Sequence, residues 1–460
     1  MIQMDQGKRS SSLLGLVNKR GATMTSAVTK LTGQTAATLA LSVFAMGATP
    51  AFSADLGGNC CADLEERIAE LEATTARKGN RKVSLTVTGW VNEAVFFWDD
   101  GVEKNIYVGT NDLERTRLQF TGKAKITEDW SAGYRLELGV RGNNSSKFDQ
   151  NSDALTNAVD VRHAVWFLES KTLGKLSVGQ TGTATYHLLD DADLANTRNF
   201  ADAEGAAVAQ GAFFLRSGGK SVNGLRWTDV MRGFNNSTPG QSGRREIVKY
   251  DSPTLAGFSV TAAWGDDDLG DVALTYKGDI SDFKLAFKAG YGQATDEGTE
   301  RCHTTTGSVH QDCEWWGVAG TVMHAPTGLY VYAGYGEQQD NTRGTDPKLV
   351  LNTVDSDTTW FVQGGIEKGF FPLGKTTVFG EFRHDDAGSN VGKSVVAGGS
   401  SIRESSLDFI GAGVVQNIEA AAMDLYVIYR HAEGDTTDFT GAKTKLDDFD
   451  MVMTGAMIRF

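Results

Sequence analysis
Arg115, Arg117, Lys123 and Lys125 fall on one parity of a short stretch, and Leu118, Phe120, Ala124 and Ile126 fall on the other. In an extended chain the two parities face opposite sides, so the row of cations needs water and the apolar row needs hydrocarbon. Charge arranged this way makes a field, not a bond. A second charged group, Asp190, Asp191, Asp193, Asp202 and Glu204, crowds the start of a long segment with no alternation. Carboxylates set across a gap from wall cations, with Arg115, Arg117, Lys123, Arg135 and Arg162 as the candidates, would create a transverse field that sorts ions. The other use of such carboxylates is to solvate an exposed loop.

Groups that make and break bonds are not arranged for it. None of His163, His187, His303, His310, His324, His384 and His431 sits in a metal or nucleophile motif. No glycine-rich phosphate loop occurs, and no Ser and His stand together as a lipase would need. The chain is read as no enzyme, with no cofactor and no metal. Cys302 and Cys313 flank a polar ten-residue stretch and read as a disulfide closing a surface loop in an oxidising compartment. A metal bound by Cys302, His303, His310 and Cys313 is the less favoured use. Cys60 and Cys61 are adjacent and either bridge subunits or stay free.

Strands must position these charges. With a period of two, residues 83–460 divide into sixteen stretches: 83–97, 113–126, 130–141, 159–169, 175–186, 244–251, 258–265, 270–278, 283–292, 314–323, 329–337, 358–367, 376–383, 405–417, 422–431 and 449–460. Outward rows are apolar: Tyr134, Leu136, Leu138 and Val140; Phe283, Leu285, Phe287 and Tyr291, opposed by Lys284 and Lys288; Leu425, Val427 and Tyr429, opposed by Asp424 and Arg430. Around Arg162 the alternation fails, because Trp166 and Leu168 share its parity, and a bulge or a subunit contact is expected there. Short connections at Thr127–Asp129, Thr172–Gly174, Pro253–Gly257, Ser281–Asp282, Pro326–Gly328, Pro372–Gly374 and near Ala420 alternate with long polar ones. A sheet that meets lipid outside and water inside closes on itself, because an open edge in a bilayer leaves backbone groups unpaired. The fold class expected is therefore all-β, a 16-stranded antiparallel transmembrane β-barrel at 83–460, with a short N-terminal α-helix. The third long connection, 187–243, is expected to fold inward and narrow a lumen otherwise too wide to sieve.

Composition agrees. Hydrophobic residues make up 40% of 460 residues, and after the N-terminus no stretch reaches the roughly 18 apolar residues of a membrane helix. The six prolines avoid the alternating runs. A net charge of -14 excludes a nucleic-acid partner and, with the acidic third connection, leads to an expected weak cation preference. Lys30, the apolar run Ala36–Met46 and the small residues up to Ala54 have the layout of a cleaved signal peptide, so residues 1–54 read as signal and N-terminal extension, with Met24 a second candidate start. Cleavage after Ala51 is the alternative. Residues 55–82 read as a periplasmic helix and linker. In the helix, 62–76, Leu64, Ile68 and Leu71 follow a coiled-coil spacing that serves either subunit association or packing at the barrel's lower rim.

Arg162-His163-Ala164-Val165 followed by Leu173-Gly174-Lys175-Leu176-Ser177-Val178-Gly179-Gln180, then Tyr250-Asp251-Ser252-Pro253 with Gly257-Phe258, and the terminal Phe460 with Ile458 two before it, resemble a general Gram-negative outer-membrane porin, closest to the alphaproteobacterial porins. The resemblance spans about 83–460. It implies a homotrimer in contact with outer-membrane lipid and lipopolysaccharide. It also implies delivery by the barrel-assembly machinery through Phe460, and passive diffusion of ions and small hydrophilic solutes. The family's eyelet, acidic on the third loop and basic on the wall, falls on the residues named above. The helix at 62–76 and the Cys60–Cys61 pair depart from the pattern, and the third loop lacks the Pro-Glu-Phe-Gly-Gly stretch of enterobacterial porins. A substrate-specific channel for sugars or phosphate, and a barrel-anchored adhesin or receptor, are the alternatives.

Overall fold
Each alternating stretch becomes a strand in the computed structural model, which describes residues 82–153, 158–198, 211–230, 238–265, 268–295, 312–341, 356–388, 402–438 and 440–460. The signal segment and the 62–76 helix lie outside the described residues. In chain order the strands are β1 (Thr86–Asp99), β2 (Lys104–Thr110), β3 (Arg117–Lys125), β4 (Trp130–Arg141), β5 (Ala158–Ser170), β6 (Gly174–Gly182), β7 (Phe214–Ser217), β8 (Lys220–Arg226), β9 (Arg244–Asp251) and β10 (Phe258–Gly265). There follow β11 (Gly270–Ile280), β12 (Phe283–Ala294), β13 (Cys313–His324), β14 (Leu329–Asp340), β15 (Ser356–Phe371), β16 (Gly374–Ala387), β17 (Ile402–Ile418), β18 (Met423–Asp438), β19 (Lys443–Lys445) and β20 (Phe449–Arg459). The wall has sixteen strand positions, the second filled by β2 and β3 together; β19 adds a short piece beside β18, and β7 and β8 pair with each other. Every wall pairing is antiparallel, and β1 pairs with β20 from Trp90↔Arg459 to Asp99↔Asp450. The sheet is therefore a closed barrel, as the alternation required.

The seven short connections are tight turns at one end. At the two-residue turn between β11 and β12, Ser281 takes a positive φ of 53°. The longer connections lie at the other end, together with one short one, 266–269.

The wall departs from the expected strands in two places. Its second strand is in two pieces: β2 pairs with the upper half of β1 and β3 with the lower half. Between them, Asp112–Glu114 form a 3-10 turn, and the Asn111 side chain accepts a bond from the Leu113 amide at its start. Arg115, expected on a strand, therefore sits in the break. The second departure is a bulge in β5. Glu137 pairs with His163 and Leu138 with Val161, which leaves Arg162 opposite no residue. Arg162 and His163 both turn inward and are buried, and Trp166 is carried to the outside. The extra residue is why parity fails there.

The inside is not uniformly wet. Phe96 and Trp98 of β1, Tyr330 and Tyr332 of β14, Phe361, Phe379, Phe409, Tyr426, Ile428, Phe449, Met451 and Met453 face inward from the wall and form one buried apolar cluster with Leu189, Phe213, Leu215, Trp227 and Val230. The last five belong to the third long connection. Apolar side chains on the inner parity of half the barrel thus give that connection a core to pack on.

Candidate functional site
The third connection leaves β6 anchored by its first residues. The Asp271 carboxylate of β11 accepts from the amides of Ala184 and Thr185 and from the Thr185 hydroxyl, at 3.0, 2.7 and 2.6 Å. Thr185 in turn accepts from the indole N–H of Trp315 at 2.9 Å. The loop then runs against the inner wall. Tyr332 donates its hydroxyl proton to the Leu189 carbonyl, Thr321 donates to Ala192 O at 2.6 Å, and the Thr197 hydroxyl lies 2.9 Å from the Gln363 side-chain oxygen. Asn196 bonds Glu367 and Asp424, each at 2.9 Å. Farther on, β7 and β8 make a hairpin whose Arg216 reaches Asp100 and Glu103 beyond β1, both at 2.6 Å. Trp227 then packs between Phe409 and Phe449, its ring inclined to both, with centroids 6.2 and 6.3 Å apart. On its return the loop passes so close to the wall that a Cβ on Gly240 would lie 2.5 Å from the Cα of Gly336, and Gly240 has φ +87°. Only glycine fits there.

Opposite the apolar half, a polar cavity of about 390 Å³ remains between the loop and β1, β3–β6, β9 and β20. Its lining includes Trp90, Glu114, Arg117, Arg135, His163, Lys249 and Arg459 from the wall side, and Tyr186, His187, Asp191 and Arg198 from the loop.

The expected site residues separate into three groups. Arg117, Arg135 and Asp191 meet at this cavity. A second group lies within the wall or the loop. Arg115 pairs with Asp112 at 3.0 Å and Asp160 at 3.2 Å, and Arg162 pairs with Glu137 at 3.0 Å. Lys123 pairs with Glu169 at 2.5 Å near the short-turn end, outside the cavity lining. Asp190 is buried, with His187 Nδ1 at 2.6 Å and Arg198 Nε at 3.2 Å. Asp193 turns back into its own loop, accepting from the Ala195 amide at 2.7 Å and the Thr197 hydroxyl at 2.6 Å. The third group, Asp202 and Glu204, lies outside the described residues. The wall arginines mostly answer acids of the wall itself: Arg117 bonds Glu114 at 2.6 Å and Glu137 at 3.4 Å, and Arg135 also holds Glu137. The loop acid at the cavity answers a lysine instead, with Asp191 to Lys288 at 2.8 Å and to Arg198 at 3.2 Å.

Protonation in the loop follows these contacts. Burial alone would raise Asp190, but His187 and Arg198 outweigh it and hold the carboxyl below the usual range. Burial lowers His187. Asp193 is pushed up to about 6 by burial, against hydrogen bonds from Thr197 and neighbouring amides.

Sequence reading missed Lys249, Lys288, Arg198, Arg459 and Asp271. Lys288 was legible on an inward parity, and Lys249 alternates with the outward Val248 and Tyr250. Arg198 stands inside the acidic segment, where spacing gives no orientation. Among the described residues, one group could hold a metal. It comprises His431, Glu433 and Asp448, whose ligand atoms lie within 4.8 Å of one another at the long-loop rim. Cys313 is buried and disulfide-bonded. Cys302, Cys60 and Cys61, with His303 and His310, lie outside the described residues. Phe460 closes the seam, exchanging two 3.0 Å backbone hydrogen bonds with Gly89.

Comparison with known proteins agrees with this architecture. A family model described as Gram-negative porin matches residues 35–456. No curated protein matches the sequence. Among solved structures, an anion-selective porin from Comamonas acidovorans is similar at a TM-score of 0.54 and 14% identity, covering 82% of this chain and 100% of that one. A loop L8 deletion mutant of OmpT from Vibrio cholerae is similar at 0.50 and 14%, with 82% and 100% covered. At such identities the likeness is one of fold. The chain belongs to the Gram-negative porin family and forms an outer-membrane β-barrel channel for passive diffusion.

Proposed function
We propose that this protein is a general pore for ions and small hydrophilic solutes, exported through a cleaved signal peptide and assembled as a homotrimer in outer-membrane lipid and lipopolysaccharide. Its narrow point is the polar cavity between the third loop and the inner wall, with Arg117, Arg135, Lys249 and Arg459 on one side and Asp191 and Arg198 on the other. The observation that carries this reading is the division of the lumen. The loop fills the apolar half and leaves a charged half open to water. The barrel contributes a path, a size limit and a field, and no bond is made or broken. Reconstitution of the purified protein in planar bilayers tests this. Large ohmic conductance steps are expected. A folded, heat-modifiable protein that gives no current would leave an anchored adhesin or receptor as the better reading.

A further inference from the structure
Three ion pairs at the cavity share one orientation. The side chains of Arg135, Arg198 and Arg459 are 37%, 35% and 37% exposed, whereas those of the acids they pair with, Glu137, Asp190 and Asp424, are 1%, 1% and 0% exposed. Each pair therefore sets its anion in the wall or loop and its cation at the water. A buried charge behind an exposed one acts on a solute through low-dielectric protein and from farther away, so the nearer cation dominates the local field. Lys249 adds an inward ammonium that makes no ion pair among the described residues, and Asp191 is the one comparably exposed carboxylate in the lining. We propose that the narrow point prefers small anions, chloride and inorganic phosphate among them, over cations of the same size. This rests on the pore reading above and reverses the preference expected from net charge. The charge of -14 counts the whole chain, while a permeating ion senses the few groups nearest its path. Outward-facing acids such as Asp386, Asp408 and Asp450 are bonded to His384 and His431 at the rim and do not face the lumen.

Reversal potentials across a bilayer separating unequal KCl concentrations test the proposal, with folding of each variant checked by heat-modifiable mobility. The intact channel is expected to favour chloride by about threefold. Lys249→Ala and Arg135→Ala should each lower the ratio, and Arg135→Lys should retain it. Arg135→Ala leaves Glu137 with Arg117 and Arg162, so the wall survives the change. Inorganic phosphate added to one side should reduce the chloride current more in the parent than in Lys249→Ala. A potential of the cation-selective sign, or a chloride preference untouched by both alanine variants, overturns the proposal and leaves the pore standing. Absence of any conductance overturns the pore reading and this one with it.

Discussion

Asp190 and Asp191 are adjacent, and the backbone sends them in opposite directions: one into the loop beneath Arg198, the other toward the cavity and Lys288. Their removal is expected to separate accordingly. Asp190→Asn breaks a buried pair and should destabilise the packed loop by about 3 kcal/mol, lowering the temperature of the heat-modifiable transition. Asp191→Asn should leave that temperature nearly unchanged and shift the reversal potential toward anions. Asp193 gives a pH signature. Its carboxyl rises from an ordinary 3.8 to about 6 in the folded loop. Well below pH 3.8 it is neutral whether the loop is packed or not. Between pH 4 and 6 the unpacked loop ionises first, so packing weakens as pH rises, by up to about 3 kcal/mol, and is constant above. Asp193→Asn should flatten the change in thermal stability across that window; an unchanged slope would assign the titration to another group. These fates were not legible in the sequence. A cluster of acids states that charge is present, and only the turn geometry of the loop decides which carboxylate meets water. Arg115 and Arg162 were misplaced for a related reason, one by a break in the wall and one by an inserted residue. Both shift a side chain to new partners without changing composition.

Whole strands were more legible than single charges, because one face of each must meet hydrocarbon along its full length. The alternation of β3, β4 and β12 marked strands that the wall contains, and six of the seven short turns fell where Pro, Gly, Asp and Ser had marked them, the turn at Glu419–Ala422 carrying none of these. The failures have the same origin. β2 runs from Lys104 to Thr110 with too few residues to alternate clearly. Stretches of the inner face from β14 to β20 are as apolar as the outer face, between inward polar groups such as Gln363, Arg383 and Asp385. Tyr426 and Ile428 alternate with Leu425 and Val427, and Met451 and Met453 with Val452. A strand apolar on both parities is covered on both sides, and here the inner cover is the third loop. That cover is testable. Trp227→Ala removes a fully buried ring from the shared cluster, a change worth about 3 to 5 kcal/mol. The barrel should still form, and single-channel conductance should rise and become noisier as the loop loosens. Conductance unchanged from the parent would mean the loop is held by its polar anchors alone, chiefly Asp271, Tyr332 and Thr321.

At the scale of the molecule, closure depends on a seam of ten paired residues from Trp90 to Asp99, extended by the exchange between Gly89 and Phe460. A Cβ on Gly89 would approach the Phe460 ring to 2.7 Å and the Arg117 carbonyl to 2.3 Å, so Gly89→Val should reduce the yield of heat-modifiable barrel, as should deletion of Phe460. The aromatic last residue was visible in the sequence, and so was the even strand number that brings both ends to one rim. The tight fit at Gly89 was not, because it depends on register.

The apolar cluster has a further consequence. A gate that swings must trade one set of contacts for another of similar worth. Trp227, Phe213 and Leu215 would have to leave their shared apolar cluster for the charged lining of the cavity. The aperture is therefore set once, when the chain folds, and driving voltage should change how fast ions cross it without changing how wide it is. Currents should stay level at both polarities where a hinged loop would make them step shut.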